Sequence, residues 1–183
     1  MDIKEKWQIF ADRWVGIIIR PMTFFDEWDE DEGWEPVIFF NVICGMLAGI
    51  GKTVLTLGDR AFPIVFYPII FVIAVPIMGA VLFLFFRISG GEGRFGATAK
   101  MAGYTQAAAV VSFGIPTLGP MLGLYQIMLL TLVGKTVHKL DAKRSFIAVM
   151  LPLLLFLFLM MLISTIVGIR FWGGILSHES QGL

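Results

Sequence analysis

The residues of this chain that could carry out chemistry do not form a catalytic set. Segment 91–96 matches the dinucleotide pattern G-x-G-x-x-G, but that pattern binds a nucleotide only between a strand and a helix. A membrane helix is predicted before it, so we interpret it as a cytoplasmic turn. His138 and His178 are isolated, Cys44 has no second thiol, and no Ser-His-Asp or HExxH arrangement is found. We expect no catalytic residue, no metal, no cofactor and no enzymatic activity.

An acidic segment at 26–35 is the densest cluster of charge. It contains Asp26, Glu27, Asp29, Glu30, Asp31, Glu32 and Glu35. Carboxylates bind Ca²⁺ or Mg²⁺, but the spacing and the glycine of a calcium-binding loop are missing. Two interpretations remain: a solvated linker, or a segment that pairs with the basic loops at 87–100 and 135–144.

Polar side chains inside apolar stretches are the best functional pointers, because they are costly within a membrane. The candidate intramembrane polar site consists of Asn41, Lys52, Tyr104, Gln106 and Gln126. One interpretation is a polar path for an ion or solute. The other is structural: Lys52 can extend to the outer surface, and the amides can hydrogen-bond between helices.

Five long apolar stretches must position these side chains, at 37–57, 62–86, 98–115, 118–137 and 145–169. A bilayer is crossed by about 20 apolar residues. The chain is 57% hydrophobic and 15% charged, with a mean hydropathy of +0.84, which excludes an ordinary soluble domain. We therefore predict an all-α, polytopic membrane protein with five transmembrane helices. Its zero net charge argues against a nucleic-acid partner.

The third and fourth stretches are the shortest, and a Gly/Pro-rich cluster at 114–120 separates them. We interpret 98–137 as a helical hairpin; the alternative is a re-entrant pair that does not fully cross. Gly45 with Gly49 and Gly119 with Gly123 have the spacing that lets helices approach closely, either within the bundle or at a dimer face.

Basic residues predict the orientation. If the N-terminus is cytoplasmic, 11 Lys and Arg residues fall on the inside and two, Arg60 and Arg170, on the outside. Cytoplasmic loops carry such an excess. We expect a multi-pass protein of the cell (inner) membrane with its C-terminus outside. The predicted regions are a cytoplasmic helix and acidic linker at 1–35, a membrane domain at 36–170 and a tail at 171–183.

The N-terminal segment is predicted to be an amphipathic helix over 3–19. Trp7, Phe10, Trp14 and Ile17 lie on one helical face. Trp7, Phe10 and Trp14 would be interfacial anchors if the helix lies on the cytoplasmic leaflet. The alternative is a helix docked on the loops of the bundle. The pair at 20–21, Arg-Pro, would end it.

The order of these features resembles the Yip domain, the five-helix membrane domain of the Ypt-interacting protein family. The resemblance covers about 20–165. It is carried by IRPMTFF at 19–25, by GRFG at 93–96 through Lys100 to Gly103-Tyr104, and by LYQ at 124–126 followed by LVG at 132–134, the basic loop and 148–152. After Tyr104 the sequence departs, because Thr105-Gln106-Ala107 stands where the family often continues towards a proline.

The resemblance implies the fold and the threading. Eukaryotic members carry a long cytoplasmic N-terminal region and are implicated in vesicle traffic and Rab GTPase binding. That region is nearly absent here, so the chain resembles a short prokaryotic-type member. We expect a non-enzymatic adaptor or organiser that acts through membrane lipids and through other membrane proteins or a second copy of itself.

The alternative function is a small oligomeric channel or transporter subunit with a polar path near the first and third membrane helices. A transporter should place its polar residues on one water-accessible side of the bundle. An adaptor should scatter them as bridges between helices.

Overall fold

The computed structural model describes the backbone of residues 3–57, 61–114 and 119–179, and the side chains of 4–57, 61–112 and 119–166. This part of the chain is all-α, as predicted. Its eight helices are α1 Ile3–Ile19, α2 Pro21–Asp26, α3 Trp34–Leu55, α4 Phe62–Ile88, α5 Phe95–Tyr104, α6 Ala107–Gly114, α7 Gly119–His138 and α8 Ala142–Glu179.

Four helices in the described ranges are long and apolar enough to cross a membrane: α3, α4, α7 and the 142–166 portion of α8. The prediction of a polytopic membrane protein is therefore confirmed. The predicted helix over 3–19 is also found, and it ends as expected before Pro21, which occupies the first turn of α2. Proline is favoured there because its missing N–H would have no partner in a first turn.

The third predicted membrane helix differs from the prediction, because it is interrupted. Helix α5 ends at Tyr104 and α6 begins at Ala107. The Thr105 hydroxyl donates to the Ala102 carbonyl at 2.7 Å, and the Gln106 N–H bonds to the Gly103 carbonyl at 3.2 Å. These three-residue bonds replace the regular four-residue pattern. The described part of the chain thus has four long candidate spans and one broken segment.

Glycines set the contact between α3 and α4. A methyl group at Gly45 would lie 2.5 Å from Pro68 Cα, and one at Gly49 would lie 2.5 Å from the Pro63 carbonyl oxygen. The two helices are antiparallel, because the later glycine of α3, Gly49, contacts the earlier proline of α4, Pro63. The internal-packing interpretation of this glycine pair is confirmed. At Gly123 no described atom lies within 4 Å of such a methyl group.

The ends of several helices meet near Phe86. The Phe86 ring lies 4.8 Å from the His138 ring, and Phe86 also abuts Gly134. The Ser145 hydroxyl donates to the Thr131 carbonyl at 2.6 Å, joining the start of α8 to α7. The C-terminal ends of α4 and α7 and the N-terminal ends of α5 and α8 therefore share one end of the bundle.

The chain divides into two compact units, Met1–Val149 and Met150–Leu183. The first holds the buried core, whose largest fully buried side chains include Tyr104, Phe25, Phe40 and Phe86. The second is the remainder of α8, which continues past the predicted apolar stretch to Glu179. Its Leu, Phe and Met side chains from 153 to 166 are exposed, which suits a helix surrounded by lipid.

Candidate functional site

Helix α1 contacts the bundle through part of its predicted apolar stripe. Phe10 and Ile17 are buried, and the Phe10 ring lies 5.2 Å from Phe40. Trp14 is partly buried and its Nε1 has no hydrogen-bond partner among the described residues. Trp7 remains 49% exposed. The stripe is therefore divided between side chains that dock α1 on the bundle and one that faces outward.

A polar cluster joins α1, the acidic segment and α5. We call Arg13, Trp28, Glu32, Lys100 and Tyr104 the anchor cluster. Glu32 Oε1 pairs with Arg13 Nη2 at 2.5 Å, and Glu32 Oε2 accepts from the Tyr104 hydroxyl at 2.9 Å and from Trp28 Nε1 at 2.7 Å. The Tyr104 hydroxyl also accepts from Arg13. One carboxylate thus connects three separate segments of the chain.

Lys100 holds the backbone of the acidic segment. Its ammonium donates to the Glu30 carbonyl at 2.9 Å and to the Glu32 carbonyl. The ammonium also lies 5.3 Å from the Trp28 ring. The residue is only 7% exposed, and these partners replace the water that a buried charge loses. Lys100 therefore fixes the path of the linker before α3 begins.

Exposed ion pairs extend the same contact. Arg94 lies 3.3 Å from Glu30 and 3.5 Å from Asp31. Of the interpretations offered for the acidic segment, pairing with the 87–100 loop is therefore observed. In the second basic loop, Arg144 pairs instead with Asp141 of its own turn at 3.5 Å. Each exposed ion pair contributes little to stability. The partly buried Arg13–Glu32 pair is therefore expected to contribute most to holding the acidic segment in place.

The structure brings three of the predicted polar residues to the region where α3 meets α5 and α6. Asn41 is fully buried, donates to the Val37 carbonyl at 2.8 Å, and faces the backbone of Gly103. Its Oδ1 has no partner among the described residues. Tyr104 belongs to the anchor cluster, and Gln106 is buried at the helix break.

Lys52 lies away from these three residues, and Gln126 belongs to α7. Lys52 is in the last turn of α3, roughly 16 Å along that helix from Asn41 at 1.5 Å per residue, and is partly exposed. Gln126 is partly exposed on α7. Lys52 is therefore separated along α3 from the buried Asn41 in the described structure.

His138 has no partner nearby in the sequence, yet in the structure residues of α4, α5 and the turn between them pack against it. It is 1% exposed, and its Nε2 shares a hydrogen bond of 2.7 Å with the Thr98 hydroxyl. A methyl group at Gly91 would lie 2.7 Å from His138 Cβ, and one at Gly93 would lie 2.6 Å from Val137. Two glycines of the dinucleotide-like motif thus make room for the end of α7. The closely spaced glycines were the one sequence feature that could have indicated a close helix contact at this turn.

Tyr125 was also missed as a functional contact. Its hydroxyl lies 2.8 Å from the Ile17 carbonyl and 3.0 Å from the Ile18 carbonyl. Carbonyls in the last turn of a helix lack partners within that helix, and Tyr125 donates to this group. Helix α1 is therefore attached to the bundle at Phe10, Arg13 and its C-terminal end.

The helices and the anchor cluster define a multi-pass α-helical membrane protein whose N-terminal helix and acidic linker are attached to its bundle. The model of the Yip1 domain matches residues 15–163, and the chain belongs to the Yip1 domain family. Members of this family are non-enzymatic organisers of trafficking and membranes. No curated protein sequence and no solved structure matches this chain.

Proposed function

We propose that this protein is a membrane adaptor of a short prokaryotic type, which acts in the cell membrane through lipid and protein contacts of its N-terminal segment. The anchor cluster is the observation that carries this proposal. In this cluster, polar groups of α1, the linker and α5 bond to one another and hold the N-terminal segment in place. They do not line a path for a solute.

The outward side of the N-terminal segment supports a role in contacts. Trp7, Val15, Ile19 and Met22 are between 46% and 67% exposed, while Phe10 and Ile17 face the bundle. Phe10 and Ile17 of the stripe thus dock, whereas Trp7 of the same stripe, Val15 and Ile19 of α1 and Met22 of α2 offer apolar side chains to the headgroup region. Trp is enriched at that level of a membrane. Of the three predicted interfacial anchors, we therefore keep Trp7 as the lipid anchor, because Phe10 and Trp14 pack against the bundle.

The positions of the helix ends support our proposal of five crossings. The C-terminal ends of α4 and α7 share one end of the bundle, because His138 of α7 packs beside Gly91. Helix α7 has 20 residues and is roughly 30 Å long. The chain must therefore travel to the opposite end between 88 and 119, and the broken pair α5–α6 provides this passage. The basic loops support a cytoplasmic N-terminus and an outside C-terminus.

The distribution of polar residues favours the adaptor over the channel. Asn41, Tyr104 and Gln106 are buried where helices meet, whereas Lys52 lies in the last turn of α3 and Gln126 is only partly buried on α7. Polar side chains used as bridges are expected of an adaptor, whereas a channel requires them along one wetted side.

Two measurements on protein in liposomes test the proposal. Ion flux, followed with entrapped pH and potassium dyes, should equal that of empty vesicles. A photoreactive amino acid at position 7 should crosslink to lipid or to another protein, whereas the same group at buried position 17 should crosslink within the chain. Flux above the empty-vesicle level, or equal external crosslinking at both positions, would contradict the adaptor.

A further inference from the structure

The space between α1 and the start of α3 is an open groove of mixed character. Its volume is about 620 Å³, and its lining includes Lys6, Phe10, Arg13, Glu35, Phe39 and Phe40. A second, mostly apolar depression of about 420 Å³ shares Glu35 and Phe39 and continues to Ile38 and Val42. Charged groups therefore lie at one end of a continuous groove, and aliphatic and aromatic side chains follow along α3.

Besides Arg13, the charged end of the groove carries one cation, Lys6, and one anion, Glu35, which pair with each other. Arg13 is already bound by Glu32 and Tyr104. Lys6 and Glu35 are 3.5 Å apart, with side chains 34% and 84% exposed. That distance exceeds the usual 2.7–3.2 Å of an N–H···O bond, so the pair is loosely closed and reachable from solvent.

We propose that this groove binds a phospholipid with a zwitterionic headgroup that ends in a primary ammonium, of the phosphatidylethanolamine type. The phosphate would pair with Lys6 and the ammonium with Glu35, while an acyl chain lies along Phe39, Ile38 and Val42. This inference deepens the proposed function, on which it rests, by naming the lipid that the N-terminal segment contacts.

Charge complementarity selects this headgroup. A primary ammonium donates hydrogen bonds to a carboxylate, whereas a quaternary ammonium has no N–H to donate. A purely anionic headgroup would leave Glu35 facing a like charge. The groove therefore fits a phosphate and an ammonium side by side.

The test is native mass spectrometry of the full chain released from vesicles of equal parts phosphatidylethanolamine, phosphatidylcholine and phosphatidylglycerol with identical acyl chains. We expect phosphatidylethanolamine to be retained about tenfold over each competitor, the ratio that one charged hydrogen bond provides. Glu35→Gln and Lys6→Met should abolish the preference. Glu5→Gln and Lys4→Met, which change exposed residues of the same helix outside the groove, should preserve it.

A reversed pair separates lipid binding from docking of α1. The double variant Lys6→Glu, Glu35→Lys restores an ion pair between the helices but inverts its polarity, so we expect assembled protein without the lipid preference. Equal retention of the three lipids by the unchanged protein, a preference for phosphatidylglycerol, or preference kept in the reversed pair would overturn the inference. A dimer whose groove residues crosslink between copies, with no lipid retained, would also overturn it.

Flux in vesicles without phosphatidylethanolamine keeps the two proposals apart. Ion flux there contradicts the adaptor function whatever the lipid result. Absence of flux together with equal lipid retention contradicts only the groove assignment.

Discussion

Glu32 shows how one side chain organises an entire segment. Its two oxygens accept from Arg13, Trp28 and Tyr104, which belong to α1, the linker and α5. Removing a charged acceptor leaves several donors unpaired, and that penalty exceeds the value of the ion pair itself. The anchor cluster therefore depends more on Glu32 than on any of its donors.

Glu32→Gln is expected to destabilise the docked N-terminal segment by about 2 kcal/mol, because a neutral amide accepts weaker hydrogen bonds than a carboxylate. Limited proteolysis of the linker in detergent should become faster, and the apparent unfolding temperature should fall. Glu27→Gln, which changes an exposed carboxylate of the same segment, is the matched control. Equal proteolysis rates for the two variants would argue against the cluster.

The glycines of the dinucleotide-like motif provide a second test at the residue scale. Gly91→Ala places a methyl group 2.7 Å from His138 Cβ and 2.9 Å from the Phe86 carbonyl oxygen, and overpacking of this kind costs about 1–3 kcal/mol. Gly96→Ala, in α5 with no described atom within 4 Å, should be neutral or stabilising by up to about 1 kcal/mol. Thermal unfolding distinguishes them. Equal effects would mean that the motif does not serve to pack His138.

At the scale of elements, sequence patterns were reliable where hydrophobic length decided the outcome. They predicted α1, α3, α4, α7 and α8. They did not predict the break between α5 and α6. This break involves a hydrogen bond from the Thr105 hydroxyl to a backbone carbonyl, and hydropathy carries no information about such a bond. For the anchor cluster, the sequence indicated only that acidic and basic segments could pair. The individual contacts were not predictable, because residues as distant in sequence as Arg13 and Tyr104 meet through tertiary packing.

The contact of α3 with α4 gives a prediction for helix packing. Gly45→Ala would force a methyl group to 2.5 Å from the backbone of Pro68, and a backbone cannot move aside as a side chain can. We expect a loss of about 1–3 kcal/mol and a smaller yield of monodisperse protein in detergent. Gly123→Ala is the control, because no described atom lies within 4 Å. A Gly45→Ala variant as stable as the control would refute this helix contact.

At the scale of the whole molecule, charge is separated although the total is zero. The loops at 87–100 and 135–144 share one end of the bundle, and the acidic segment and α1 are attached at α5 of the same end. Acidic and basic residues at the same end allow the N-terminal segment to dock there. The excess of Lys and Arg at this end supports the proposal that it faces the cytoplasm. The proposed threading therefore has an odd number of crossings between the acidic segment and the C-terminus.

Reporter fusions in cells test that claim most directly. A reporter joined after Gly91 should be active only in the cytoplasm, and one joined at Leu183 should be active only outside, because three further crossings separate the two points in the proposed threading. Reporters in the same compartment would remove one crossing and would contradict the passage of α5–α6 through the membrane.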